Sequence, residues 1–271
     1  MKLVTFTYLG RSRIGEIVGE TVYTMAWADS MTQLIRRGMM PSRTYEHYAL
    51  SDITIDTPLR PGKMFGIGLN YADHAKETGK EAPSEPLVFP KMINSVIGMN
   101  QPITWHTDVT NKVDYEGELA VIIGARAKNI SEDDALKFVF GYTIANDVSA
   151  RDLQEGQWTR AKGLDTFCPL GPVIVTKDEI ADPHILSIKT TVNGETRQDS
   201  STSELIFKVP ALISYLSKHF TLEPGDVILT GTPAGVGIAR NPPALLGHAD
   251  VVEITIQNIG TLVNPCNVIS A

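Results

Sequence analysis

Asp114-Tyr-Glu-Gly-Glu-Leu-Ala-Val-Ile-Ile-Gly124 couples an acidic cluster to an unbroken aliphatic run. A short β-branched run closed by glycine reads as a strand. Side chains two apart on a strand share a face, which sets Glu116 and Glu118 side by side, ~6–7 Å apart along the backbone. Like charges that close resist ionising together unless a cation lies between them. Gly117 is read here as leaving room above the pair.

Downstream, Ser131-Glu-Asp-Asp134 signals a helix start, with Ser131 as cap and three acids at the positive end, and the helix is expected to run to about Phe140. Gly141–Ala145 then reads as a strand delivering Asn146-Asp147, the helix being taken as a crossover between the two strands. A third carboxylate at a strand terminus can complete one face of a coordination sphere. Three oxygen donors with no nearby cysteine or HxxxH pair favour Mg²⁺ or Mn²⁺, one ion per chain, with about three positions left for water or substrate. On spacing alone, a solvated acidic strand end with a capping Asp147 is the favoured explanation of the same residues.

The rest of the chain is strand-dominated. Leu3–Tyr8, Arg13–Val18 and Thr21–Met25 read as short strands with Gly10 and Gly19 at the turns, followed by a brief helix near Met31–Arg37. The turn-rich stretch Asp56–Lys63 marks a boundary, giving a small N-terminal β-rich domain over 1–60 and a main domain over 61–271. Residues 70–86 are polar and long for a plain connection, which suggests a lid or binding loop. Asn193-Gly194 predicts a tight hairpin between Ile185–Val192 and Glu195–Ser200. Residues 203–220 carry Leu205, Val209, Leu212, Leu216 and Phe220 at helical spacing despite Pro210. The fold class expected is α+β, mostly β.

Composition excludes several functions. A net charge of −7 with dispersed Lys and Arg disfavours nucleic acid. No apolar run approaches the ~18 residues of a membrane span, and the first residues lack a signal-peptide pattern. The two cysteines, Cys168 and Cys266, have no CxxC spacing, and they read as inert thiols in a reducing cytoplasm.

His74 and Glu77 stand three apart in the 70–86 segment, so one helical turn brings them together. A carboxylate beside an imidazole fixes its tautomer and raises its basicity, which makes a general base, although the HxxE spacing by itself is better explained by an exposed helix pair. Thr230-Gly-Thr-Pro233 follows a strand. Its small residues let backbone N–H groups approach a carboxylate, with the Thr232 hydroxyl as a further partner. Gln154 is expected on the pocket wall, and Arg151 with Asp152 as a structural ion pair.

The words GLNYADHAKE (68–77), DYEGELAVIIG (114–124), NDVSARDLQ (146–154), WTRAKGLDTFCPLGP (158–172) and LTGTPAGVG (229–237), in this order, resemble the fumarylacetoacetate hydrolase superfamily. The resemblance spans about residues 61–260. It implies a mixed β-roll with a few flanking helices and a homodimer, with Glu116, Glu118 and Asp147 as metal ligands and His74–Glu77 as a catalytic pair on a lid. Lys162 matches the family's active-site lysine and would contact enolate or carboxylate. Lys91 matches a second lysine position, although Met92 follows it where relatives often carry proline. The implied activity is divalent-metal-dependent C–C hydrolysis of an acylpyruvate or 3,5-dioxo acid, a small anionic keto acid. Oxaloacetate decarboxylation, and isomerisation or decarboxylation of aromatic ring-cleavage products, are the alternatives. A non-catalytic binding protein would be expected to have lost one of these groups, and all of them are present.

Overall fold

A computed structural model describes residues 1–270. Gly117–Ile123 is a strand with every residue buried. Its odd-numbered members Leu119, Val121 and Ile123 enter one hydrophobic core, and Ala120 and Ile122 enter a second on the opposite face. The aliphatic run is therefore continuous because both faces are covered.

This strand is central to a 12-stranded mixed sheet. From one edge, the order is Arg43–Ala49, Thr21–Met25, Arg11–Val18, Lys2–Tyr8, Cys168–Thr176, Val139–Asn146, Gly117–Ile123, Val227–Leu229, Met64–Gly68 and Leu87–Pro90, with Thr54–Ile55 and Val96–Ile97 joined off this path. A 5-stranded sheet, ordered Glu195–Ser201, Ser187–Val192, Val251–Ile256, Gly260–Ile269 and Ile103–His106, covers one face. Where the sheets meet, a Cβ on Gly117 would lie 2.4 Å from Thr190 Oγ1 and 3.1 Å from Ile254 Cγ2. Glycine is needed here for close approach of the second sheet, and not, as expected from sequence, to open space above the carboxylates.

Residues 1–60 extend the large sheet, with Lys2–Tyr8 antiparallel to Cys168–Thr176. We retain the division at residue 60 as a proposal about folding units; in the folded chain the two parts share one sheet. Helix Met31–Arg37 forms as expected, with Ser30 accepting from the Gln33 N–H and Gly38 closing it in the left-handed region. Asn193 and Gly194 both take positive φ, which suits a tight hairpin turn.

Three local expectations are corrected. The predicted helix over 131–140 is a single turn, Glu132–Ala135, followed by a 3₁₀ turn. It is no crossover, because Gly117–Ile123 and Val139–Asn146 are adjacent and antiparallel. The helix expected over 203–220 begins only at Val209, which puts Pro210 in the first turn, where its missing N–H costs nothing.

Candidate metal centre and active-site cavity

Antiparallel register builds the site. Gly117 pairs with Asn146, so the start of one strand lies against the end of the other. The Asp147 N–H donates to Glu116 O at 2.9 Å, and the Glu116 N–H to Asn146 Oδ1 at 3.0 Å. Period two places Glu116 and Glu118 on the face opposite the second sheet. One oxygen each from Glu116, Glu118 and Asp147 falls within 4.8 Å of the other two, and all three residues are buried.

The charges around them differ. Lys162, at the end of helix Trp158–Lys162, places Nζ 2.7 Å from Glu116 Oε2, 2.6 Å from Asp147 Oδ2 and 2.8 Å from Ser149 Oγ. Lys91 reaches Asp147 Oδ1 at 2.5 Å. Arg151 Nη2 bridges Glu116 Oε1 at 2.7 Å and Asp114 Oδ2 at 2.8 Å. Glu118 has no cation in bonding distance among the described residues and accepts only the Gly231 N–H, at 2.6 Å. Burial would push Glu116 up, but Lys162 and Arg151 outweigh it and hold the group well below the usual carboxylate range. Burial, with Asp147 and Glu116 adding repulsion, pushes Glu118 well above that range. Four carboxylates, Asp114 included, are thus met by three cations. The donor set fits a hard divalent ion: converging carboxylate oxygens, no sulfur or imidazole, and an uncompensated Glu118.

A cavity of about 720 Å³ opens beside the three acids, and His74, Gln154, Lys162, Thr232 and Arg151 also line it. His74 and Glu77 lie on helix Ala72–Glu77. Nδ1 of His74 is 3.0 Å from Glu77 Oε2, and Glu77 Oε1 accepts the Gly235 N–H at 2.8 Å. A carboxylate can only accept, so Nδ1 carries the hydrogen and Nε2 is left as the basic atom. The expected lid is docked in this structure. Tyr71 is fully buried, Asp73 Oδ2 accepts from Ser200 Oγ at 2.6 Å, and Glu85 accepts from the Tyr215 hydroxyl at 3.2 Å.

Not every sequence-predicted residue sits where expected. Lys91 is absent from the cavity lining; its ammonium is enclosed behind Asp147 and also donates to Val148 O. Arg151 and Asp152 do not pair. Arg151 turns to Asp114 and Glu116, while Asp152 accepts from Thr110 Oγ1 and the Asn111 N–H. The bridge of Val113–Asp114 with Ser149–Ala150 brings Arg151 to Asp114, a pairing local sequence does not reveal. Thr232 donates to Gly117 O at 3.0 Å and accepts from Gln198 Nε2 at 2.7 Å, so its hydroxyl is already engaged in holding the ligand strand. Gln198 escaped sequence reasoning altogether. Both cysteines are buried and free, and burial pushes each thiol up to about 12.

The fold is mostly β, and it sets a buried Glu–Glu–Asp triad able to hold a metal ion on the same cavity as His74. Residues 63–267 match the family model described as "Fumarylacetoacetate (FAA) hydrolase C-terminal", and the chain belongs to that family of enzymes. It is 50% identical over 223 residues to "Oxaloacetate tautomerase YisK" of Bacillus subtilis, covering 80% of this chain and 74% of the relative. It is 48% identical over 220 residues to "Oxaloacetate tautomerase fahd2, mitochondrial" of Xenopus laevis, covering 79% and 69%. Among solved structures, "Fumarylacetoacetate hydrolase (EaFAH) from psychrophilic Exiguobacterium antarcticum" superposes with a TM-score of 0.89 at 40% identity, covering 99% of this chain and 100% of that one.

Proposed function

We propose that this enzyme interconverts keto and enol forms of a short 2-oxo diacid of the oxaloacetate type, with one Mg²⁺ or Mn²⁺ held by Glu116, Glu118 and Asp147. The observation that carries the reading is that His74 and the three acids line one cavity. The relatives named as oxaloacetate tautomerases, about half identical over four fifths of the chain, support the substrate class.

A divalent ion, when bound, supplies a Lewis acid that stabilises negative charge on the 2-oxo oxygen. The protein's own groups do the rest. His74 Nε2 takes the proton from C3 as the enolate forms and returns it to the oxygen. Glu77 holds the ring and stabilises the imidazolium, and Gly235 fixes Glu77. Lys162 and Arg151 orient Glu116 and Asp147 and add positive charge for an anionic substrate. Thr232 and Gln154 bound the cavity.

Hydrolysis of an acylpyruvate is the second reading, favoured by the likeness to a structure named a fumarylacetoacetate hydrolase. His74 would then take its proton from water. The test is to follow oxaloacetate enol absorbance and acetylpyruvate cleavage side by side with Mg²⁺ and Mn²⁺. Accelerated enol–keto exchange lost in His74→Ala supports the first reading; cleavage of acetylpyruvate without such exchange replaces it by the second. We further propose a cytoplasmic homodimer without nucleic-acid partners, to be checked by light scattering and fractionation. Among the described residues no helix is long and apolar enough to cross a membrane.

A further inference from the structure

The peptide between the two glutamates of the acidic triad is enclosed by a ring of hydrogen bonds from a distant hairpin. Gln198 lies on strand Glu195–Ser201, and only 1% of its surface is exposed. Its Oε1 accepts the Gly117 N–H at 3.0 Å and the Thr190 hydroxyl at 2.8 Å. Its Nε2 donates to Thr232 Oγ1 at 2.7 Å and to Pro233 O at 2.9 Å, and Thr232 Oγ1 in turn donates to Gly117 O at 3.0 Å. Both polar atoms of Gly117 are therefore held, and every hydrogen-bonding capacity of the Gln198 amide is used. A buried amide satisfied four times over specifies one geometry, because losing any partner strands a desolvated group.

Two residues along the same strand, Ser200 donates to Asp73 Oδ2 of the lid helix at 2.6 Å. Period two puts Gln198 and Ser200 on one face. One strand thus grips the glutamate peptide with one side chain and the lid with the next.

We propose that strand Glu195–Ser201 is a positioning element: Gln198 fixes the separation of the Glu116 and Glu118 carboxylates for the cation, and Ser200 keeps the His74–Glu77 helix seated over it. The inference rests on the metal-site reading above. Neither residue lines the cavity, so neither is a catalytic residue. Outer partners of metal ligands commonly govern ~10–100-fold in affinity.

The test uses Mn²⁺ alone, titrated by calorimetry into the metal-stripped full chain, together with hydrogen exchange of residues 72–78 followed by mass spectrometry. Gln198→Met, similar in length but without the amide, is expected to weaken Mn²⁺ binding ~10-fold or more while retaining a cooperative melt. Gln198→Glu, which keeps an acceptor for Gly117, is expected to bind between Gln198→Met and wild type, and it carries the test if the methionine variant does not fold. Ser200→Ala is expected to raise lid exchange several-fold with Mn²⁺ affinity unchanged. Wild-type Mn²⁺ affinity in the folded Gln198 variants, or wild-type lid exchange in Ser200→Ala, overturns the proposal. Failure of the wild-type protein to bind Mn²⁺ would instead overturn the metal-site reading beneath it.

Discussion

The imidazole of His74 is anchored to Glu77 through Nδ1 at 3.0 Å, and the second oxygen of that carboxylate is itself anchored to the Gly235 amide. Ring, carboxylate and backbone form one hydrogen-bonded chain, which leaves Nε2 as the free ring nitrogen of a residue that lines the cavity. His74→Ala removes the proton carrier and should lower kcat by ~10²–10⁴-fold. Because His74 is no part of the acidic triad, Mn²⁺ affinity should stay within a few-fold of wild type. Glu77→Gln keeps a side chain that can reach Gly235 but gives up the negative charge behind the imidazole, so a smaller fall in kcat is expected. Steady-state kinetics with metal titration check both, and a His74→Ala enzyme of normal kcat would remove this residue from the mechanism.

Glu118 predicts how metal and pH act together on stability. Its folded-state pKa is raised, so in metal-free protein its contribution is fully present below the ordinary glutamate value and is lost as pH climbs through the raised one. Glu116 is shifted the other way; its contribution is lost only as pH falls below the ordinary glutamate value, so the two windows do not overlap. As pH rises above the ordinary glutamate range, the metal-free melting temperature should therefore fall at this site, and the gain from Mn²⁺ should grow. At a hundredfold excess over Kd the ion adds ~2.7 kcal/mol, which for a chain of this size is ~5–10 °C. Thermal melts in EDTA and in Mn²⁺ at rising pH check this. A gain from Mn²⁺ that shrinks with rising pH would be the wrong sign.

The two buried lysines should separate under mutation. Each neutralises acids of the triad, and removing one partner of a buried pair strands the other charge, typically at ~3–5 kcal/mol. Lys162→Met and Lys91→Met should both be less stable when metal-free, with added Mn²⁺ recovering part of the loss because it restores positive charge. Only Lys162 lines the cavity, so only Lys162→Met should also raise KM strongly. Matched melts and kinetics decide it; equal KM effects would place Lys91 in contact with substrate after all.

The triad was legible because strand periodicity and short motif words are local properties, and Glu116, Glu118 and Asp147 each sit inside one. What could not be read was anything set by register between distant segments. Antiparallel pairing of Gly117 with Asn146 replaced the expected crossover, since a short helical turn gives no sign of which way the chain returns. Proximity in sequence points Arg151 to its neighbour Asp152, yet the Val113–Asp114 bridge brings it to Asp114, 37 residues away. Gln198 arrives from 81 residues beyond Gly117, in a hairpin whose own sequence reports only its turn. Apolar spacing sets the start of helix 209–219 too early because it persists through residues that lead into the helix, and only the proline tolerance of a first turn marks the true start.

Gly117 offers a test that joins fold to site. A methyl group there would meet Thr190 Oγ1 at 2.4 Å, closer than real Cβ contacts come, and Ile254 Cγ2 at 3.1 Å. The sheets must then part locally, and overpacking of this kind costs ~1–3 kcal/mol. The same displacement pulls on Gln198, whose Oε1 binds both Gly117 and Thr190. Gly117→Ala should therefore lower the denaturation midpoint and weaken Mn²⁺ binding together. Thr190→Ala removes the oxygen responsible for the shortest contact, so the double variant should lose less stability than the two single losses combined. Denaturant melts of the four proteins with parallel Mn²⁺ titrations measure the coupling, and strictly additive losses would show that the two positions do not press on each other.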